Sequence, residues 1–145
     1  MKKLILFFVI APLITTAQSF HVSIKAEQTV KGPYYELGLS YELSNNFAFG
    51  AFYQRNELSF SNDGVADFAP LYGLALHAPL YTGEKLIFRG LLRGGLVSDR
   101  FFVVIPAVET RLMVLRRTGI TITTGYRHGY PSAALGLVYK ITAKG

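Results

Sequence analysis

From Ser19 to Ile141 apolar residues alternate with polar or small ones at a period of two, the signature of extended chain with one apolar face. The clearest stretch is 34–43. Tyr35, Leu37, Leu39, Tyr41 and Leu43 fall on one face; Tyr34, Glu36, Gly38, Ser40 and Glu42 fall on the other. Ser44-Asn45-Asn46 has the composition of a turn. The same alternation predicts strands over 47–57, 68–78, 85–97, 101–115, 119–129 and 132–141, with a shorter first strand over 20–26. Ser61-Asn62-Asp63-Gly64 marks the longest loop, 58–67, and 27–33 reads as a second long loop. Residues 79–84, 98–100 and 116–118 read as turns. Eight strands in sequence, joined by short connections, predict an all-β, up-and-down antiparallel barrel.

The two faces then decide the solvent. In water the apolar face would be the core, whereas in a membrane barrel it would point outward and the polar face inward. The apolar face carries no ionised side chain at any strand centre. The other carries His21, Lys25, Glu36, Glu42, His77, Arg89, Arg93, Glu109, Arg111, Arg127 and Lys140. Between these charges it is filled by small residues such as Gly38, Gly50, Gly73, Ala75, Gly95, Gly125 and Gly136. A solvated exterior has no use for so many small side chains, but the narrow interior of an eight-stranded barrel does. Threading the strands up and down also sorts the aromatics. Tyr35, Tyr53, Tyr72, Phe102 and Tyr126 approach one rim, and Tyr41, Phe47, Phe88 and Tyr139 the other, as two lipid–water boundaries require. The pattern predicts a transmembrane barrel.

Composition agrees. Half of the residues are hydrophobic and 17% are charged, against roughly 25% in a typical soluble domain. The longest apolar run, 4–14, contains Pro12 and is too short for a spanning helix of about 20 residues. Preceded by Lys2 and Lys3 and followed by Thr15-Thr16-Ala17, it fits a cleavable signal peptide over 1–17, leaving a barrel domain over 18–145. Formal net charge is +6, and removing Lys2 and Lys3 leaves +4. That excess is too small and too dispersed to predict a nucleic-acid partner. The absence of cysteine excludes disulfides, thiolate metal sites and thiol catalysis.

With its leader, alternating strands, aromatic rims and amphipathic last strand, the chain resembles the small eight-stranded outer-membrane β-barrel family. The resemblance is architectural and spans nearly all of 18–145. It implies residence in the outer membrane of a Gram-negative-type bacterium, with outer-membrane lipid as the first partner. The chain departs from the family in ending Thr142-Ala143-Lys144-Gly145 rather than on an aromatic residue.

The chemistry predicted is structural. Glu36, Glu42 and Glu109 can pair with Arg89, Arg93, Arg111, Arg127 and Lys140 to fill and fix the lumen, since unpaired charge there is costly. The outer loop at Ser61, Asn62, Asp63 and Gly64 is the candidate contact for a surface ligand or protein. No cofactor is predicted, and the isolated histidines suggest no metal site. Some small outer-membrane barrels resemble lipid A deacylases, which need His, Ser and a carboxylate at one rim. Here His128 is followed by Gly129, its nearest serine is Ser132 across Pro131, and no acidic residue follows Glu109. The expected function is therefore a non-enzymatic outer-membrane barrel with a structural or surface-contact role. The alternatives are a soluble secreted β-barrel holding an apolar ligand, and a lipid-modifying barrel enzyme. Oligomeric state is left open. Two substitutions express the orientation: Leu74→Arg or Leu137→Arg should block assembly, and Gly73→Ala on the inner face should be milder.

Overall fold

In a computed structural model of the chain, residues 17–30, 32–56, 70–97, 101–127 and 129–142 are described. They form eight strands: β1 (Ala17–Thr29), β2 (Gly32–Leu43), β3 (Ala48–Asn56), β4 (Leu71–Thr82), β5 (Leu86–Val97), β6 (Phe101–Met113), β7 (Thr118–Arg127) and β8 (Tyr130–Thr142). Each pairs antiparallel with its sequence neighbour, and β8 pairs back to β1, closing the barrel. Closure leaves no free sheet edge at the β1–β8 junction, as a structure surrounded by lipid requires.

The register shows how the barrel is staggered. Starting at Ser19, the pairs run through Glu42, Ala48, His77, Leu91, Ala107, Gly125 and Ser132. Ser132 lies one step past the pair Gln28↔Ala133, so one circuit climbs about ten residues along β1. Strands therefore tilt steeply, and a residue's neighbours across the lumen come from distant parts of the sequence.

Expected boundaries move by up to four residues, and two of the shifts change the wall. The first strand is not 20–26 but reaches Thr29, so Glu27 belongs to the wall and not to a loop. It is held on both sides, by Glu27↔Tyr34 in β2 and Glu27↔Ala134 in β8. The strand expected to stop at 78 continues to Thr82 through Pro79, where the register with β5 shifts between Pro79 and Tyr81. A bulge is a position where a strand tolerates proline.

The alternation sorts the side chains as the pattern predicts. Leu37, Leu74, Leu92, Val104, Ile122, Leu135 and Leu137 stand outward and exposed. Glu36, Arg89, Arg93, Glu109, Arg111, Thr121, Thr123 and Arg127 point inward and are buried. This is an inside-out protein, with an apolar exterior and an ionised interior, and hence a transmembrane barrel. A small apolar cluster of Phe52, Leu71, Ala75, Leu91 and Ile105 fills the lumen on the β3–β6 side, leaving the charges to the rest.

Aromatics mark the two rims. At the end where the chain termini lie, Tyr41 packs edge-on against Phe49 with centroids 4.2 Å apart, and Phe20 lies 5.8 Å from Tyr41. Tyr81 and Phe88 continue this belt. At the far end Tyr35, Tyr53, Tyr72 and Tyr126 stand exposed. Tyr35 and Tyr41 share a strand, and their separation corresponds to roughly 15 Å of height at the tilt of such barrels.

Two local features matter below. Gly73 sits opposite Gly95, and a Cβ at Gly73 would lie 2.1 Å from the Gly94 carbonyl oxygen. The inner wall is pinched there, so even the single methyl of Gly73→Ala would have to displace backbone. The second feature is the β6–β7 seam. Its register stops at Ala107↔Gly125, although β6 continues to Phe101 in register with β5. The next residue of β6 is Pro106, which has no N–H to give to β7.

Candidate functional site

Inward positions on tilted strands converge, and the lumen gathers its charges into three layers. In the layer farthest from the termini, Arg93 of β5 donates to Glu36 of β2 at 2.5 Å. The same guanidinium donates to both oxygens of Glu27 of β1 at 3.2 Å. Gln54 of β3 donates its amide N–H to Glu27 and accepts from Arg127 of β7 through its carbonyl oxygen. Arg127 also lies 3.7 Å from Glu27 and stacks 4.0 Å above the Tyr34 ring.

In the middle layer Lys25 donates to Glu109 at 2.7 Å and sits 3.6 Å from Glu36. Arg111 donates to the other oxygen of Glu109 at 3.1 Å. The third layer lies near the termini. There Arg89 donates to Glu42, and Arg111 reaches His21 Nδ1 at 2.6 Å. Lys140 is only partly buried and makes no ion pair among the described residues. The Glu109 carboxylate is 1% exposed, and Glu27 only 2%. Buried carboxylates this far from water are tolerable only with partners at hydrogen-bonding distance.

Of the residues singled out from sequence, Glu36, Glu42, Arg89, Arg93, Glu109, Arg111 and Arg127 thus meet in one lumen. Lys140 stands at its mouth without joining the pairs. Sequence reasoning missed Glu27, Gln54 and Tyr34 as members of the network, and named Lys25 and His21 as inward residues without assigning them to it. For Glu27 a signal existed: His21, Ser23, Lys25 and Glu27 continue one parity. The contact-loop residues Ser61, Asn62, Asp63 and Gly64, and His128, lie outside the described residues.

The middle of the lumen is almost full. The void among Lys25, Glu36, Phe52, Arg93 and Glu109 is about 20 Å³, room for about one water molecule. The soluble alternative needs room for an apolar ligand inside, and the middle of the lumen offers none. Toward the termini the lumen widens into a cavity of about 490 Å³ that includes His21, Arg111 and Lys140 in its lining.

One pair has the look of a nucleophile and its base. Ser19 Oγ lies 2.9 Å from His21 Nε2, and Glu42 lies 4.0 Å from the same nitrogen. The polarity is wrong for that chemistry. Arg111 can only donate, so His21 Nδ1 must accept, and the ring's proton resides on Nε2 and points at Ser19. A nitrogen that already carries a proton cannot take one from a hydroxyl, and a triad would place a carboxylate, not a guanidinium, on Nδ1. Ser19 is also fully buried.

No family model and no curated protein matches the chain. Solved structures do. A de novo designed transmembrane β-barrel superposes with a TM-score of 0.72 at 12% identity, covering 86% of this chain and 97% of that one. The Yersinia pestis outer membrane protein Ail, in a phospholipid bilayer nanodisc, gives 0.60 at 16% identity, covering 86% and 99%. Ail in complex with the heparin analogue sucrose octasulfate gives 0.53 at 14%, covering 85% and 97%. The N-terminal β-barrel domain of Pseudomonas aeruginosa OprF gives 0.56 at 12%, covering 86% and 98%. At these identities the likeness establishes the fold, that of the small eight-stranded outer-membrane barrels.

Proposed function

We propose that the protein is a non-enzymatic integral outer-membrane barrel, exported by the leader 1–17, whose ion-paired lumen makes it a rigid and non-conducting support for its outer loops. The observation that carries this reading is the pairing of an apolar outer wall with a lumen closed by Arg93, Glu27, Glu36, Lys25 and Glu109. A pore would spend the same wall on a water-filled centre; here side chains occupy it. The end bearing the termini faces the periplasm in this reading, and the loop 58–67 faces outward. That segment, with Ser61, Asn62, Asp63 and Gly64 in its sequence, is the candidate contact for a ligand. The solved complex of Ail with a heparin analogue makes a sulfated saccharide the first ligand to try there.

The deciding experiment fractionates cells and runs the membrane pool on a detergent gel with and without boiling. A heat-dependent mobility shift in the outer-membrane fraction, with no conductance steps when the purified protein is added to a planar bilayer, is the expected result. Recovery from the soluble periplasm without a shift would overturn the membrane assignment. Discrete conductance steps would overturn the closed lumen.

A further inference from the structure

Charge is not spread evenly along the lumen. In the outer and middle layers Arg93, Arg127 and Lys25 face Glu27, Glu36 and Glu109, basic and acidic groups in equal number. Near the termini Arg89, Arg111 and Lys140 face Glu42 alone among the inward groups, and Arg89 already occupies it. Arg111 spends one nitrogen on Glu109, which it shares with Lys25, and another on His21, which brings no negative charge. Its buried Nε has no acceptor, but neither has the Nε of Arg93 or of Arg127 in the balanced layers, so it is the excess of cations that sets this end apart. Arg111 is 3% exposed, so water does not easily make up the deficit.

The surplus coincides with space. Arg111 and Lys140 both line the 490 Å³ cavity, together with Lys85 and Arg116 from the adjoining turns, so that four cations face the two carboxylates of Glu42 and Glu84. Ile87, Met113 and Val138 give the same cavity an apolar wall. An excess of cations around a partly enclosed cavity is costly, and an anion seated among them offsets that cost. The volume exceeds what a bare ion needs, and the apolar wall suits a carbon skeleton.

We infer that this mouth of the lumen binds a small organic oxyanion, its carboxylate or phosphate group held by Lys140 with Lys85 and Arg116 beside it and the Arg111 charge at the floor, and its apolar part against Met113 and Val138. The inference rests on the closed lumen and not on which cell compartment the barrel occupies. The anionic group could come from a free metabolite or from a lipid headgroup, and the two are separable.

The test uses the full barrel, isotope-labelled and refolded into nanodiscs, with phenyl phosphate as probe. In zwitterionic nanodiscs, saturable amide shifts are expected at His21, Met113 and Lys140. Lys140→Gln should weaken apparent binding about tenfold, and Lys140→Arg should restore most of it. Should Lys140→Gln lose the heat-dependent gel shift, Arg116→Gln, in an exposed turn, supplies the second variant with a weakening of about twofold. In anionic phosphatidylglycerol nanodiscs without probe, the same shifts would identify a headgroup as the source; their absence there, with binding of phenyl phosphate intact, would identify a free ligand. Wild-type spectra that do not respond in either nanodisc overturn the inference. So do shifts that fail to saturate or that are unchanged in the charge-removing variants.

Discussion

Leu74 and Ala75 are adjacent in β4, yet they live under opposite rules. Leu74 is 72% exposed and needs only to be apolar, because lipid will conform to it. Ala75 packs against Phe52, Leu71, Leu91 and Ile105, where shape is fixed on every side. The same contrast runs around the wall: the outer face tolerates any apolar shape and rejects charge, while the inner face accepts charge and rejects any change of fit. One protein therefore shows both lipid and protein acting as the apolar solvent, a single bond apart in the chain.

The comparison breaks most sharply at the inner face. Glu27→Ala would leave Arg93 with Glu36 alone and remove the carboxylate from Arg127 and Gln54. A loss of about 3–5 kcal/mol is expected in urea-dependent folding into detergent micelles, since an uncompensated buried charge remains. On the outer face the largest effect comes from charge. Leu74→Arg and Leu137→Arg, each at mid-strand, should cost about 2–4 kcal/mol and deplete the heat-shifting band in membranes. If these variants assemble as wild type, the outer wall does not face lipid. Gly73→Ala adds a single methyl to the pinched β4–β5 wall, and about 1–3 kcal/mol is expected by the same folding assay because backbone must move. The smallest effect should come from Leu135→Val, an outward apolar exchange with 61% exposure. Less than about 1 kcal/mol is expected, and a larger loss would mean that another protein, and not lipid, covers that site.

The inside-out arrangement was legible in the sequence because it needs only parity, and parity survives errors in where a strand begins. Strand ends were less legible. β1 was cut short because Ala26 and Gln28, its outward residues near the rim, are small or polar, so the apolar rhythm fades just where lipid gives way to water. The inner rhythm of Lys25 and Glu27 persists, and pairing on both sides holds the strand straight through. The membership of the network was half legible, since inward charges can be named from parity alone. Their partners could not be. Glu27 meets Arg93 and Arg127, both far along the chain, because the stagger of the closed barrel lifts them to one level. No local signal encodes that stagger. The terminal cavity was likewise hidden, as it depends on turns from three hairpins meeting at one mouth.

The β6–β7 seam has a consequence for how the ring comes apart. A cylinder without edges can open only by parting two neighbouring strands, and parting begins at a short seam; β3–β4 and β6–β7 are equally short, with seven pairs each. Above Ala107↔Gly125 no further β6–β7 pair forms among the described residues, and Pro106 has no N–H to add one. Local opening should start there and travel down toward Met113↔Gly119, so amide exchange should reach β7 before it reaches β1 or β2. The wall, in other words, has a clasp, and its looser end lies at the rim far from the termini.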